Sequence, residues 1–180
     1  FKPANRRIVG YNPYALAPPS APFTLVSEEF THGGPVPFEC YGDDRGKNES
    51  PNLRWYNLPE GTQSLVLTAY DADTPIPGGI WHWLVKDIDP AIGELPHGIS
   101  GAGLPKPAVE LKNDLGTTTW SGFRPPPFSG VHHVFFAAYA LKVPTWEVDP
   151  NLSIAVQHIQ LFMSGNVLGR AVLVGTSVAP

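Results

Sequence analysis

Proline removes a backbone donor and clashes with the preceding helical turn, so 21 prolines in 180 residues rule out long helices over most of this chain. Eighteen glycines bring the Gly and Pro share to about 22%, against roughly 12% in average usage, a content that usually signals disorder. Here 42% of the residues are hydrophobic, with 5 Trp, 9 Phe and 6 Tyr. That is enough apolar surface to offset chain entropy. The expectation is a mainly β domain with many turns and ordered loops.

Charge excludes some partners. Twelve Lys and Arg against 16 Asp and Glu give a net charge of −4, with no basic stripe for a phosphate backbone, so nucleic acid is not expected. No apolar run approaches the roughly 18 residues of a transmembrane segment. Cys40 is the single cysteine, which excludes an internal disulfide and a multi-cysteine metal cluster. The chain begins at Phe1 without Met, and a cytoplasmic or a processed secreted protein both fit. Asn48-Glu49-Ser50 and Asn151-Leu152-Ser153 match glycosylation acceptors at a frequency close to chance.

Residues 1–22 read as an extended Pro-rich arm on or beside a single domain covering 23–180. Strands are expected over Phe23–Phe30, Phe38–Tyr41, Leu53–Trp55, Ser64–Tyr70, Ile80–Ile88, Val109–Leu111, Val131–Leu141 and Ala171–Val174. Ser64–Tyr70 and Val131–Leu141 are apolar on both faces and read as central strands. Only Leu152–Met163 looks helical, with Leu152, Val156, Ile159 and Phe162 or Met163 at spacings of three and four, ended by Gly165 or Asn166.

The chemistry-bearing candidates are polar residues at the ends of apolar strands. Asp71 and Asp73 are two apart, so both carboxylates share one face if the strand continues; as turn caps they need no further role. His82 lies between Trp81 and Trp83, and strict alternation points it away from both indoles. His132 and His133 are adjacent and point to opposite sides, so at most one of them can share a pocket with His82. An Asp behind a His fixes its tautomer and raises its basicity. Just upstream, Gly122-Phe123-Arg124-Pro125-Pro126-Pro127 is a stiff loop able to present backbone N–H groups and one guanidinium to an anion.

Together these residues resemble the phosphatidylethanolamine-binding protein family, in its bacterial-type branch. Asp71-Ala72-Asp73-Thr74-Pro75 is similar to the family's Asp-Pro-Asp-x-Pro motif, and Gly130-Val131-His132-His133 to its Gly-x-His-Arg motif. Trp81-His82-Trp83, Pro51 to Trp55, Leu58-Pro59, Trp120-Ser121-Gly122 and Pro125-Pro126 fall in the family's order over roughly residues 23–176. The resemblance implies a β-sandwich, a large antiparallel sheet packed on a smaller one with a short C-terminal helix. It also implies a small anion pocket lined by Asp71, Asp73, His82, Gly122, Pro125 and His132, with Thr74–Pro75 as a candidate cis bond. The helix would form one wall of that pocket.

This chain departs from the family pattern at Ala72, at His133 in place of Arg, at Arg124 in place of Gly, and at Val134 in place of an aromatic hydroxyl. Arg124 makes the pocket more cationic, which favours a carboxylate or other small acid over a zwitterionic headgroup. The function expected is binding of a small anionic ligand or acidic metabolite by Asp71, Asp73, His82, Gly122, Arg124, Pro125 and His132. One alternative is a cofactor-independent enzyme in which Asp71, His82 and His132 move protons during dehydration, isomerisation or cyclisation. Another is regulation of a kinase or protease through protein binding. Neither cofactor nor metal is expected: no phosphate loop, dinucleotide fingerprint or serine elbow is present, and the family's pocket takes anions.

Overall fold

A computed structural model describes residues 12–180, and the apolar runs supply its framework. The strands are β1 (Ala21–Pro22), β2 (Thr24–Val26), β3 (Leu53–Tyr56), β4 (Ser64–Asp71), β5 (Ile80–Ile88), β6 (Glu94–Leu95), β7 (Val109–Glu110) and β8 (Val131–Leu141), followed by helix α1 (Ile154–Met163) and β9 (Val167–Val178). Six strands form the larger sheet in the order β1-β9-β8-β4-β5-β7, antiparallel except for the β1–β9 pair. The smaller sheet is β2-β3-β6 and wholly antiparallel.

The two apolar strands sit where their double-sided patterns place them. β4 and β8 are neighbours, in register from Ser64 opposite Leu141 to Asp71 opposite Val134. Residues Leu65, Leu67, Ala69, Val134, Phe136 and Ala138 face the small sheet and pack with Leu53, Trp55, Trp83, Trp120 and Phe123. Each buried aromatic removes roughly 150–250 Å² from water, an upper bound of about 4–6 kcal/mol. The other face carries Val66, Phe135, Ala137, Tyr139 and Leu141, covered by Leu161 of α1, by Trp146 and by Tyr14. Tyr14 is buried against Phe135 and Tyr139, so the described part of the expected arm lies on the sheet; residues 1–11 lie outside the described residues.

Several expected elements are corrected. Phe38–Cys40 is a 3-10 turn rather than a strand, closed by Cys40 N–H donating to Pro37 O at 3.0 Å and Tyr41 N–H to Phe38 O at 2.9 Å. The expected Phe23–Phe30 strand contracts to β2, with β1 ahead of it, while the last strand grows to Val167–Val178. The growth follows from its partner: β8 is long, and β9 pairs with it from Val131 opposite Val178 to Leu141 opposite Val167. β6 was hidden in the Gly- and Pro-rich segment and is held by pairing with β3.

The helix is rotated from its expected phase. It begins after Ser153, whose Oγ accepts from Val156 N–H at 3.3 Å, and Gly165 beyond its end has a positive φ of 71°. His158 and Leu161 are its buried residues, whereas Ile159 is 55% exposed. The helix also covers the sheet face opposite the one carrying Asp71 and His132, so it does not wall the expected pocket. His158 stacks on Trp81 with ring centroids 4.3 Å apart, and its Nδ1–H donates to Ile154 O at 2.9 Å.

Burial pushes the His158 pKa below the ordinary imidazole value, against the raising effect of the Ile154 carbonyl. The unfolded chain therefore binds more protons below the unfolded value of about 6.5, and stability falls as pH drops through that range. The expected loss is up to about 1.4 kcal/mol per pH unit from this residue. Urea unfolding of His158→Phe is expected to show a shallower loss between about pH 6.5 and 5 than the parent. Parallel curves for the two proteins would contradict the assignment.

Candidate functional site

β4 is the middle of three adjacent strands, and its last residue, Asp71, ends on the inner face. His132 on β8 and His82 on β5 flank it at the same end. Asp71 Oδ2 accepts from His132 Nδ1–H at 2.7 Å, with Asp71 4% exposed and His132 fully buried. Asp71 Oδ1 accepts from Asp73 N–H at 2.8 Å. One carboxylate thus caps the turn and orients the imidazole. His132 Nε2 lies 2.8 Å from Ser129 Oγ, which donates its single proton to Pro126 O at 2.6 Å. Both His132 ring nitrogens are thus engaged within the protein, one by Asp71 and one by Ser129.

His82 owes its position to a β-bulge. Ala69 pairs with Trp83 and Tyr70 with Trp81, leaving His82 as the extra residue. The expectation that both indoles share one face is therefore overturned. Trp81 turns to the outer face against Tyr70 and His158, and Trp83 packs inward on Trp120. His82 joins the inner face, edge-on to Phe123 at 5.1 Å. Its Nδ1–H donates to Ser121 O at 2.6 Å. Nε2 is buried and has no hydrogen-bond partner among the described residues. Burial pushes the His82 pKa below the ordinary value; the Ser121 carbonyl and the Asp71 charge oppose this, and the Arg124 charge adds to it. A neutral ring with its proton on Nδ1 leaves a lone pair on Nε2.

The loop expected to frame the site does so by close backbone contact. Gly122 N–H is committed to Asn48 Oδ1 at 2.7 Å, and a Cβ on Gly122 would collide with the Cys40 carbonyl. Glycine there permits an approach rather than offering its donor. Pro125 is buried; Arg124 is exposed and its Nε–H donates to Gly42 O at 2.7 Å. Asp73 leaves the strand alternation because β4 has ended. Its Oδ2 accepts from His133 N–H at 2.8 Å and from His133 Nδ1–H at 2.6 Å. The cis peptide bond among the described residues is Lys106–Pro107, not Thr74–Pro75.

The structure brings the expected candidates Asp71, His82 and His132 to one end of the sheet, and adds contacts from Ser129, Ser121 and Asn48 that were not among the candidates. Ser129 stands three residues before His132 beside Gly130, a spacing that carries no signal until the loop is folded. Chemically, the cluster offers a lone pair at His82 Nε2, a buried His–Asp pair and an exposed guanidinium. The oxygens of Asp71 and both nitrogens of His132 are engaged by the protein, which suits them to hydrogen bonding more than to holding a cation.

The fold and this polar cluster define a class: two-sheet β-sandwich proteins with histidine and aspartate gathered at the end of the large sheet. The family model for phosphatidylethanolamine-binding protein matches residues 26–178. The chain belongs to that family. It is 37% identical over 141 residues to the UPF0098 protein YbcL of Escherichia coli K12, covering 74% of this chain and 76% of that one. It is 35% identical over 136 residues to YbhB of the same organism, covering 72% and 84%. The crystal structure of E. coli YbcL, described as a new member of the mammalian PEBP family, superposes with a TM-score of 0.79 at 32% identity, over 89% of this chain and all of that one.

The two aspartates are expected to differ sharply in energetic weight. Asp71→Ala leaves the buried His132 Nδ1–H and the Asp73 N–H without their acceptor and is expected to cost about 3 kcal/mol. Asp73→Ala breaks a pair with the half-exposed His133 and is expected to cost about 1 kcal/mol. Urea unfolding of both variants measures this; equal losses would contradict the ranking.

Proposed function

We propose that this protein binds a small anion at the end of the large sheet, with one anion oxygen against His82 Nε2 and a second on Arg124. The observation that carries this reading is the buried, unpartnered Nε2 of His82. A polar atom left in that state costs free energy, and a ligand would remove the cost. Ser121 and Phe123 fix the ring, so little freedom is lost on binding. The relatives' family name speaks of phosphatidylethanolamine. In this chain, Arg124 and the absence of an aromatic hydroxyl at Val134 favour a carboxylate or other fixed acid over a zwitterionic headgroup.

The same lone pair supports a second reading, a cofactor-independent enzyme. A neutral His82 could take a proton from an acidic metabolite and return it to the product, with His132 and Asp71 holding the pocket beside it. This differs from simple binding in requiring turnover that His82→Gln abolishes.

The binding reading has a pH signature. A neutral Nε2 cannot donate to a fully ionised anion, so binding draws a proton onto His82 and raises its pKa from the depressed value of the free protein. Affinity for sulfate, which keeps its charge, is expected to fall by up to about tenfold per pH unit as pH rises through the range between the two values, whose lower edge lies below about 6.5. Calorimetry in two buffers of different ionisation enthalpy is expected to show uptake of up to one proton per sulfate. Arg124→Ala is expected to weaken binding roughly tenfold. Sulfate binding that is independent of pH, or unchanged in Arg124→Ala, would overturn the proposal.

A further inference from the structure

A second polar cluster lies behind the loop that frames the site. Glu29 follows β2, Cys40 ends the 3-10 turn Phe38–Cys40, and His97 follows β6. One donor atom from each, a Glu29 carboxylate oxygen, Cys40 Sγ and a His97 ring nitrogen, converge within 4.8 Å of one another. The surrounding contacts fix each group. Glu29 Oε2 accepts from Asn52 N–H at 2.7 Å. His97 Nε2–H donates to Glu49 Oε2 at 2.7 Å. Cys40 is fully buried, and its carbonyl accepts from Trp120 Nε1–H at 3.0 Å.

The telling contact is between His97 and Glu29. His97 Nδ1 lies 2.6 Å from Glu29 Oε1, yet Nδ1 is buried with no hydrogen-bond partner, because the approach is outside hydrogen-bonding direction. His97 thus stands between two carboxylates, with Nε2 on Glu49 and Nδ1 on Glu29. Nδ1, Oε1 and Cys40 Sγ are close enough that small side-chain shifts would bring all three onto one ion lying beside them. A carboxylate on the far nitrogen of a ligating histidine is the arrangement that orients such rings at metal sites.

We propose that Glu29 Oε1, Cys40 Sγ and His97 Nδ1 bind a zinc-class divalent cation, with Glu49 orienting His97. Thiolate, imidazole and carboxylate together select a borderline-soft ion, and three protein donors leave one position for water. Binding replaces the thiol proton: the S–H bond breaks, an S–metal bond forms, and one proton leaves to solvent. The thiolate and the Glu29 carboxylate then neutralise the two charges of the ion. Burial and the neighbouring Glu29, Glu39 and Glu49 charges push the free thiol pKa up, so without a cation the group stays protonated. Glu29 and His97 are part-exposed, which gives an ion a path from solvent.

This site departs from the expectation of no metal, which rested on the Asp71 and His132 cluster and on the lone cysteine. Its role would be to tie the segment carrying Cys40 to β2 and to the residue after β6. That segment also supports the candidate site, since Gly42 N–H donates to Phe123 O at 3.0 Å and Asn48 accepts from Gly122.

The test is titration of cobalt(II) into chelator-treated full-length protein under reducing conditions. One equivalent is expected to produce a near-ultraviolet thiolate-to-cobalt band and to release one proton. Cys40→Ser is expected to abolish the band. Glu29→Gln and His97→Gln, at part-exposed positions that leave the core intact, are expected to weaken binding more than Glu49→Gln, which should lose roughly 10–100-fold. No band in the parent protein, or a band of undiminished affinity in both Glu29→Gln and His97→Gln, would overturn the proposal.

Discussion

Water is largely excluded from the end of the large sheet, so each polar group there must be satisfied by another part of the chain. Asp71 is where this requirement is met most fully. It closes the turn after β4 through Asp73 N–H and holds His132 through Nδ1, and Ser129 and Pro126 complete the set. The turn, the start of β8 and the Pro-rich loop are therefore fixed together by one carboxylate. His82, on the strand to the other side, is the group this arrangement leaves open, with one nitrogen bound to Ser121 and the other unanswered. The contrast between a completed histidine and an incomplete one is the basis of the functional reading.

The sequence made the framework legible because apolar patterns are local. The central strands Ser64–Asp71 and Val131–Leu141, and the flanking Ile80–Ile88, follow from mostly apolar runs bounded by turn residues. The helix was legible in its extent but not in its phase, since choosing which face is buried depends on Trp81, Tyr139 and Trp146, supplied from elsewhere. β9 was cut short for a similar reason. Its alternating half-buried residues gain their strand character from pairing with β8 along nearly its whole length.

The site was legible as a set of residues but not as a geometry. Asp71, His82 and His132 stood out as polar interruptions of apolar segments. The bulge that moves Trp81 and His82 onto different faces depends on a one-residue mismatch between β4 and β5, which a single strand cannot reveal. Asp73 was grouped with Asp71 by assuming that the strand continued, whereas it turns to His133. Ser129, Asn48 and the Glu29–Cys40–His97 cluster are tertiary coincidences, brought together across 3, 74, 11 and 57 residues of sequence or more. Gly122 is the case between: its type implied a special position, and the structure gives the reason as contact with the Cys40 carbonyl.

The central claim is that His82 holds its proton on Nδ1 and keeps Nε2 for a ligand. Nitrogen-15 NMR of the histidine ring nitrogens tests it directly, because the two tautomers and the imidazolium have distinct shifts. In the free protein at neutral pH, His82 is predicted to show a protonated Nδ1 and a bare Nε2, and saturating sulfate is predicted to add a proton at Nε2. A His82 ring whose nitrogen shifts are unmoved by sulfate, or one already protonated on both nitrogens in its absence, would contradict the account.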